Sequence, residues 1–350
     1  MSRMKSDVEV GRSSNPERSD SPSCTTVNDT SLAPAEGSAP ATFTPYGPER
    51  NSARRFMKAL FNAPGVARIL GWCGIRGTLW RIYSRWFGPS GGIMPLQLGG
   101  RRARFYVHSE WAANDLRTFG SEPKLLERLL SIVKPGDVVY DIGANMGLHA
   151  VFLGQAVGSH GQIVAFEPEP HYCERLRGNA ALNGLRNVRI CTMALGDHDC
   201  ELELLPSEAG RSAPRLADQP RDAGRGRTGF KVQVVEGDRL AETENLPIPR
   251  MVKIDVEGFE YAVLKGLRRT LSNPACQIVC CEVHSRLLPE DVTQSIIIDF
   301  LKSCGYNRLD ILPRPPEQHI LAFKDDAEVP PRPEALSLNH GGPSRFSESQ

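Results

Sequence analysis

Four apolar runs in this chain end on an acid. They are Val138-Val139-Tyr140-Asp141, Ile163-Val164-Ala165-Phe166-Glu167, Met251-Val252-Lys253-Ile254-Asp255, and Gln277 to Val283, which closes on Glu282-Val283-His284. Runs of this length, rich in β-branched residues and separated by helical spacing, predict buried parallel strands joined by right-handed βαβ crossovers. In such sheets ligands bind at the carboxyl ends of the strands. The chain therefore sets four acids and one imidazole along a single sheet edge. One acid at a strand end is commonly a cap for the helix that follows. A set of four with a histidine points to an active site.

The first run continues into Gly143-Ala144-Asn145-Met146-Gly147, a turn with two glycines. Glycine there permits unusual dihedrals and close backbone approach to a ligand. Glu167 ends the next strand about 20 residues on, the usual place for an acid that binds ribose hydroxyls. The turn lacks the G-x-G-x-x-G spacing of hydride-cofactor enzymes.

Further elements follow the same alternation. Strands are predicted at Phe105 to His108, Val188 to Met193, Tyr306 to Ile311 and His319 to Phe323. Helices are predicted at Leu125 to Val133, His149 to Val157, Tyr172 to Leu182, Tyr261 to Leu271 and Ile296 to Ser303. Glu201 to Leu205 and Phe230 to Val235 read as a hairpin carrying a long loop. That loop, 206–229, holds Arg211, Arg215, Arg221, Arg225 and Arg227. It is read either as a solvated insertion or as a contact for an anionic substrate.

Outside this core, residues 1–50 are rich in Ser, Pro, Thr and Asn and are expected to form a disordered tail. Residues 326–350 are expected to form another. Residues 54–104 carry ten Lys or Arg, no acid, and three interleaved tryptophans, Trp72, Trp80 and Trp86. Residues 51–104 are read as a basic, aromatic helical region, with short helices at Val66 to Leu70 and Leu79 to Phe87. Either this region packs on the main domain or it meets an anionic membrane surface. No run is apolar and long enough to span a bilayer, and the first residues lack a secretory h-region, so a cytoplasmic protein, peripheral at most, is expected. The net charge of +1 gives no reason to expect nucleic acid. The nine cysteines show neither zinc spacing nor a compact disulfide framework, and several are read as small hydrophobes in a reducing compartment.

With these residues in view, the chain resembles the FkbM family of S-adenosylmethionine-dependent methyltransferases. The likeness is carried by Asp141-Ile142-Gly143-Ala144-Asn145-Met146-Gly147, Ala165-Phe166-Glu167-Pro168 and Ala194-Leu195-Gly196-Asp197. Its most specific part is Val252-Lys253-Ile254-Asp255-Val256-Glu257-Gly258-Phe259-Glu260 with Leu264-Lys265-Gly266, followed by Glu282-Val283-His284. Phe119-Gly120-Ser121-Glu122-Pro123 adds to it upstream. The resemblance covers roughly residues 105–325.

It implies a class I methyltransferase fold: an α/β, Rossmann-like domain with a mostly parallel seven-stranded sheet and helices on both faces. It implies S-adenosyl-L-methionine as cofactor and O-methylation of a hydroxyl on a sugar, glycolipid or other small acceptor. Cofactor binding would fall to Glu122, Asp141, Gly143, Asn145, Gly147, Glu167, Ala194, Leu195 and Asp197. Asp255, Glu257 and His284 would be catalytic. His284 is preferred as the base because its ordinary pKa lies nearest neutrality, with Asp255 orienting it. Glu282 and Glu257 are alternative orienters, and Glu282 is alternatively a partner of Lys253. Asp255, Glu257 and His284 are suitable metal ligands, but no spacing demands a metal and none is expected. The competing readings are a nicotinamide-type oxidoreductase, a scaffold that keeps the fold without catalysis, and transfer to nitrogen instead of oxygen.

Overall fold

The structure is a computed structural model that describes residues 24–27, 92–107, 110–205, 214–217, 229–315 and 317–331. In chain order the strands are β1 Cys24–Thr26, β2 Gly92–Leu98, β3 Arg101–Val107, β4 Val138–Ile142, β5 Gln162–Phe166, β6 Val188–Cys191 and β7 Ala194–Gly196. They continue with β8 Cys200–Leu205, β9 Arg215–Ala217, β10 Phe230–Glu236, β11 Met251–Ile254, β12 Ile278–Val283, β13 Arg308–Arg314 and β14 Glu317–Phe323. The helices are α1 Glu110–Thr118, α2 Pro123–Ile132, α3 Leu148–Val157, α4 Pro170–Leu182, α5 Gly237–Thr243, α6 Glu260–Gly266, α7 Arg268–Ser272 and α8 Gln294–Ser303.

The fold is α/β. The main sheet runs β1-β6-β5-β4-β11-β12-β14-β13. Strands β6, β5, β4, β11 and β12 are mutually parallel, and β14 is antiparallel to both its neighbours. Alternate residues of these strands point to opposite faces, so two apolar layers form. Val139, Ile163, Ile190 and Met251 pack with residues of α2, α3 and α4 on one face. Tyr140, Val164, Val252 and Val279 pack with residues of α5, α6, α7 and α8 on the other. A side sheet, β7-β10-β8-β9, stands beside the second layer.

Seven of the eight strands of the main sheet are those the resemblance implies. The eighth, β1, comes from the segment read as a disordered tail. It pairs antiparallel with β6, Cys24 opposite Cys191. The two cysteines are joined in a disulfide, a pairing that the expectation of a reducing compartment did not include. Spacing of 167 residues hid the pair, because only the register of β1 on β6 brings the sulfurs together.

Residues 92–104, placed in the helical region, are instead part of the β2–β3 hairpin. Phe105 and Val107 of that hairpin pack on α1 and α3, with Leu116 and Phe152, so the folded body starts before residue 105. The short helices expected at 66–70 and 79–87, with the proposed membrane contact, lie outside the described residues. Of the span 326–350, residues up to 331 are described and are tied to the body. Ala327 is buried, and Arg128 Nη1 donates to the Pro330 carbonyl at 2.8 Å. The hairpin of β8 and β10 forms with Leu204 opposite Phe230. Within its loop, β9 adds to β8, and most of the remainder is outside the described residues. The helix expected over 261–271 breaks into α6 and α7 at Leu267. There the buried Asp238 carboxylate accepts from the backbone N–H groups of Arg269 and Thr270, at 2.6 and 2.8 Å, and caps the second helix.

Candidate active site

Strands β4 and β11 run side by side, with Ile254 level with Ile142. Just beyond their ends the chains nearly touch: a Cβ on Gly143 would stand 1.9 Å from the Asp255 carbonyl oxygen. Gly143 also has φ of +78°. No other residue satisfies both demands. The turn that follows places Asn145 at φ +51° and brings Gly147, at φ +88°, to the start of α3.

An open cleft of about 630 Å³ lies over this turn. Gly143, Asn145, Glu167 and Pro168 form one wall, and Asp255, Val256 and Glu257 another. Met193, Ala194, Leu195 and Phe259 make an apolar side. That side is completed by Leu204 of β8 and by Pro214 and Leu216 of the 206–229 loop. The described part of that Arg-rich loop thus presents apolar surface to the cleft.

Glu167 both builds the turn and faces the cleft. Its carboxylate accepts from the backbone N–H of Asn145 at 2.8 Å and of Glu169 at 2.9 Å, one on each oxygen. A carboxylate has about four acceptor positions, so capacity remains on both oxygens. Burial pushes its pKa up to about 7, against the pull of those two N–H groups.

The other acids gather behind the opposite wall. Lys253 is buried with its Nζ 3.3 Å from Asp141 Oδ1 and 3.3 Å from Asp255 Oδ2. Lys253 and Asp141 are register partners on β11 and β4, so their side chains leave the same face of the sheet. Burial alone would lower the Lys253 pKa, but the charges of Asp141 and Asp255 raise it well above its ordinary value. Asp255 responds in kind. Burial would raise its carboxyl, yet Lys253 and the nearby imidazoles hold it at about 2.

His284 follows β12. Its Nδ1 is 2.6 Å from Glu260 Oε1, and that same oxygen accepts from the Gly258 backbone N–H at 2.9 Å. Glu260 is therefore the orienter, in place of Asp255, Glu257 or Glu282. It is the first residue of α6 and fully buried. The other ring nitrogen, Nε2, looks toward Glu282 Oε1 at 3.6 Å, Glu257 Oε2 at 3.7 Å and Asp255 Oδ1 at 3.9 Å. Burial would lower the imidazole pKa, but the Glu260 hydrogen bond and the acids around it raise it to about 10. That upward pull takes the ring away from the near-neutral pKa on which its choice as the base rested.

Glu282 lies beside His319, its register partner on β14, at 3.3 Å, and touches Arg314. Arg314 Nη1 and His319 Nε2 also reach Glu122 Oε1, at 3.0 and 3.2 Å. Glu282 is thus paired away from Lys253. Glu122, read as a cofactor residue, belongs to this acidic cluster. Asp141 lies beneath the turn against Lys253 and is not on the cleft wall. Asp197 is held by Lys265 and His198 outside the cleft. Gly143, Asn145, Glu167, Ala194 and Leu195 line the cleft, with Asp255 and Glu257; His284 stands behind the wall. Sequence reasoning passed over Glu260, Arg314 and His319. Glu260 was visible as a second acid after Glu257. His319 and Arg314 become site residues only through the pairing of β13, β14 and β12.

The family model for the methyltransferase FkbM domain matches residues 141–308. A hexuronic acid methyltransferase of Haloferax volcanii is 29% identical over 204 residues, covering 57% of this chain and 78% of that protein. A protein named Methyltransferase 1 from Beauveria bassiana is 28% identical over 144 residues, 37% of this chain and 57% of that one. Among solved structures, an S-adenosylmethionine-dependent O-methyltransferase from Thermotoga maritima aligns with TM-score 0.36 and 14% identity, over 69% of this chain and 79% of that one. Fibrillarin from Aeropyrum pernix, solved with bound S-adenosylmethionine, aligns with TM-score 0.36 and 16% identity, over 67% of this chain and 83% of that one.

Proposed function

We propose that the chain is an FkbM-type, S-adenosylmethionine-dependent methyltransferase, matched to that family at residues 141–308, and that it methylates a hydroxyl of a sugar, most readily a sugar acid. The observation that carries the reading is the cleft over Gly143, with Glu167 on one side and the Asp255–Glu257 wall on the other. The acceptor class is brought in from the relative that methylates a hexuronic acid.

The residues fit the cofactor. Gly143 lines the cleft, and glycine is required there because a Cβ would meet the Asp255 carbonyl where the turn passes the end of β11. Glu167 has the spare acceptor capacity to hold two ribose hydroxyls. Met193, Leu195, Phe259 and Leu216 offer the apolar bed an adenine needs. The bound cofactor supplies an already activated methyl group on a sulfonium.

What the chain must add is alignment of the acceptor and removal of its proton. Asp255 and Glu257 are the acids on the cleft wall. Asp255, held low beside Lys253, is a weak base. Glu257 is the proton acceptor in this reading. It sits at φ +52°, just before Gly258 at φ +104°, in a turn that aims its carboxylate toward His284. A Cβ on Gly258 would stand 2.6 Å from the Leu287 carbonyl, so the turn is locked against the loop after β12.

The test is incubation of the full chain with S-adenosylmethionine and a panel of uronic acid and neutral sugar glycosides, with mass-spectrometric mapping of the added methyl. O-methylation of a uronic acid glycoside, lost by roughly 10²–10⁴ in kcat in Glu257→Gln with adenosylhomocysteine binding retained, is expected. Adenosylhomocysteine binding without transfer to any sugar, or transfer undiminished in Glu257→Gln, would overturn it.

A further inference from the structure

Glu122, Asp141, Asp255, Glu257, Glu260 and Glu282 converge behind the cleft, and Lys253 and Arg314 are the permanent cations set among them. Buried carboxylates in such excess call for positive charge beyond these two, from protonated imidazoles or from a bound cation. Acids alone would not define a site. The second observation is the way the two histidines point. His284, 5% exposed, has one nitrogen fixed by Glu260 and turns the other into the acids, with every oxygen there beyond hydrogen-bond range at 3.6 to 3.9 Å. Next to it, His319 is 4% exposed, and its Nε2 lies 3.2 and 3.3 Å from Glu122 and Glu282 without hydrogen-bond geometry to either.

We propose that His284 Nε2, Asp255 and Glu282 bind a divalent cation, Mn²⁺ or Mg²⁺, whose open positions face the cleft and receive the acceptor hydroxyl. One ligand atom from each of the three residues lies within 4.8 Å of the others, Glu282 and His284 at the end of β12 and Asp255 in the turn between β11 and α6. Ligands of one such ion stand about 3–4 Å apart, which matches the spacing around Nε2. The Glu260–His284 pair is the outer half of a carboxylate–histidine–metal arrangement, in which the acid fixes the ring and strengthens the coordinating nitrogen. Arg314 contacts the Glu282 oxygen nearest His284 and holds that carboxylate in place. Two carboxylates and one imidazole suit a hard, oxygen-seeking ion.

The proposal deepens the methyltransferase reading and rests on it. It leaves Glu257 beside the ion as the base. The cation binds the acceptor oxygen and makes its hydroxyl more acidic. Glu257 takes the proton, the oxygen lone pair forms the C–O bond, and the C–S electrons return to sulfur, leaving a neutral thioether. Overall one methyl moves from sulfur to oxygen and one proton is released. Two adjacent hydroxyls, or a hydroxyl and the carboxylate of a sugar acid, would fill the open positions together.

The experiment is calorimetric titration of the full chain, stripped with chelator, with Mn²⁺ and separately with adenosylhomocysteine. The proposal expects saturable binding of about one Mn²⁺ per chain. Asp255→Asn and His284→Gln should each weaken it by about 100-fold or more, and Glu260→Gln by roughly 10-fold. Glu328→Gln, on the exposed far side, should not change it. Adenosylhomocysteine binding reports that each variant is folded. A wild-type chain that binds adenosylhomocysteine but no Mn²⁺ at millimolar concentration overturns the cation site and leaves the methyltransferase reading standing. Mn²⁺ binding that Asp255→Asn and His284→Gln leave unaltered overturns it as well, because the ion then lies elsewhere. Failure to bind either ligand removes both.

Discussion

Replacing Lys253 with Met tests the electrostatic frame of the site. Lys253 stands 3.3 Å from each of Asp141 and Asp255. At an effective dielectric of about 20, each contact is worth about 5 kcal/mol of gross attraction. Desolvation of a buried ion costs several kcal/mol and offsets much of it. Met keeps the volume of the side chain, so cavity formation adds little. The expected loss is the usual one for removing one partner of a buried pair, about 3–5 kcal/mol. It should carry a pH signature. Without Lys253, Asp255 loses the cation that holds its carboxyl low, and burial beside Asp141 raises its pKa above the ordinary carboxylate range. A carboxyl whose folded pKa is raised loses stability as pH climbs through that pKa. The deficit of Lys253→Met should therefore be largest at neutral pH and shrink on acidification toward pH 4–5. In the wild type Asp255 behaves in the opposite sense. Its pKa is held at about 2, so its contribution is present above pH 4 and lost as pH falls through 2. Urea unfolding of both proteins between pH 4 and 8 measures the difference. A deficit below 1 kcal/mol, or one that does not vary with pH, would refute the reasoning.

Three further outcomes follow from the geometry. Glu167 is held near pKa 7 by burial, and ribose hydroxyls favour its ionised form, so adenosylhomocysteine affinity should fall up to about tenfold per pH unit below 7; in Glu167→Gln the affinity should be weak and flat with pH, as calorimetry would show. Gly143→Ala must place its Cβ 1.9 Å from the Asp255 carbonyl at φ +78°, so adenosylhomocysteine binding should be lost even in a variant whose far-ultraviolet spectrum is native. Cys24→Ser should cost about 2–4 kcal/mol of stability under oxidising conditions and nothing in excess reductant, since its partner Cys191 is then a free thiol in both proteins.

The parts of this protein that local sequence could determine are those governed by a short-range period. Alternation and apolar runs located β4, β5, β11 and β12 to within a residue or two, because a strand buried on both faces must be apolar along its length. The acids closing those strands were legible because each interrupts an apolar run; that Asp141, Glu167 and Glu282 are themselves buried was not. Gly143 and Glu167 were placed on the cleft from spacing alone. What local sequence could not carry is register. Glu282 looked like a partner for Lys253, but β14 sets His319 directly opposite it, and β13 brings up Arg314. Cys24 was one polar-tail residue until β1 lay on β6. His284 appeared to be a base of ordinary pKa until the packing of α6 put Glu260 on its Nδ1. In each case the deciding contact joins residues from different elements, some far apart in the chain. Its strength depends on burial, and only the assembled tertiary structure excludes the water that would otherwise screen it.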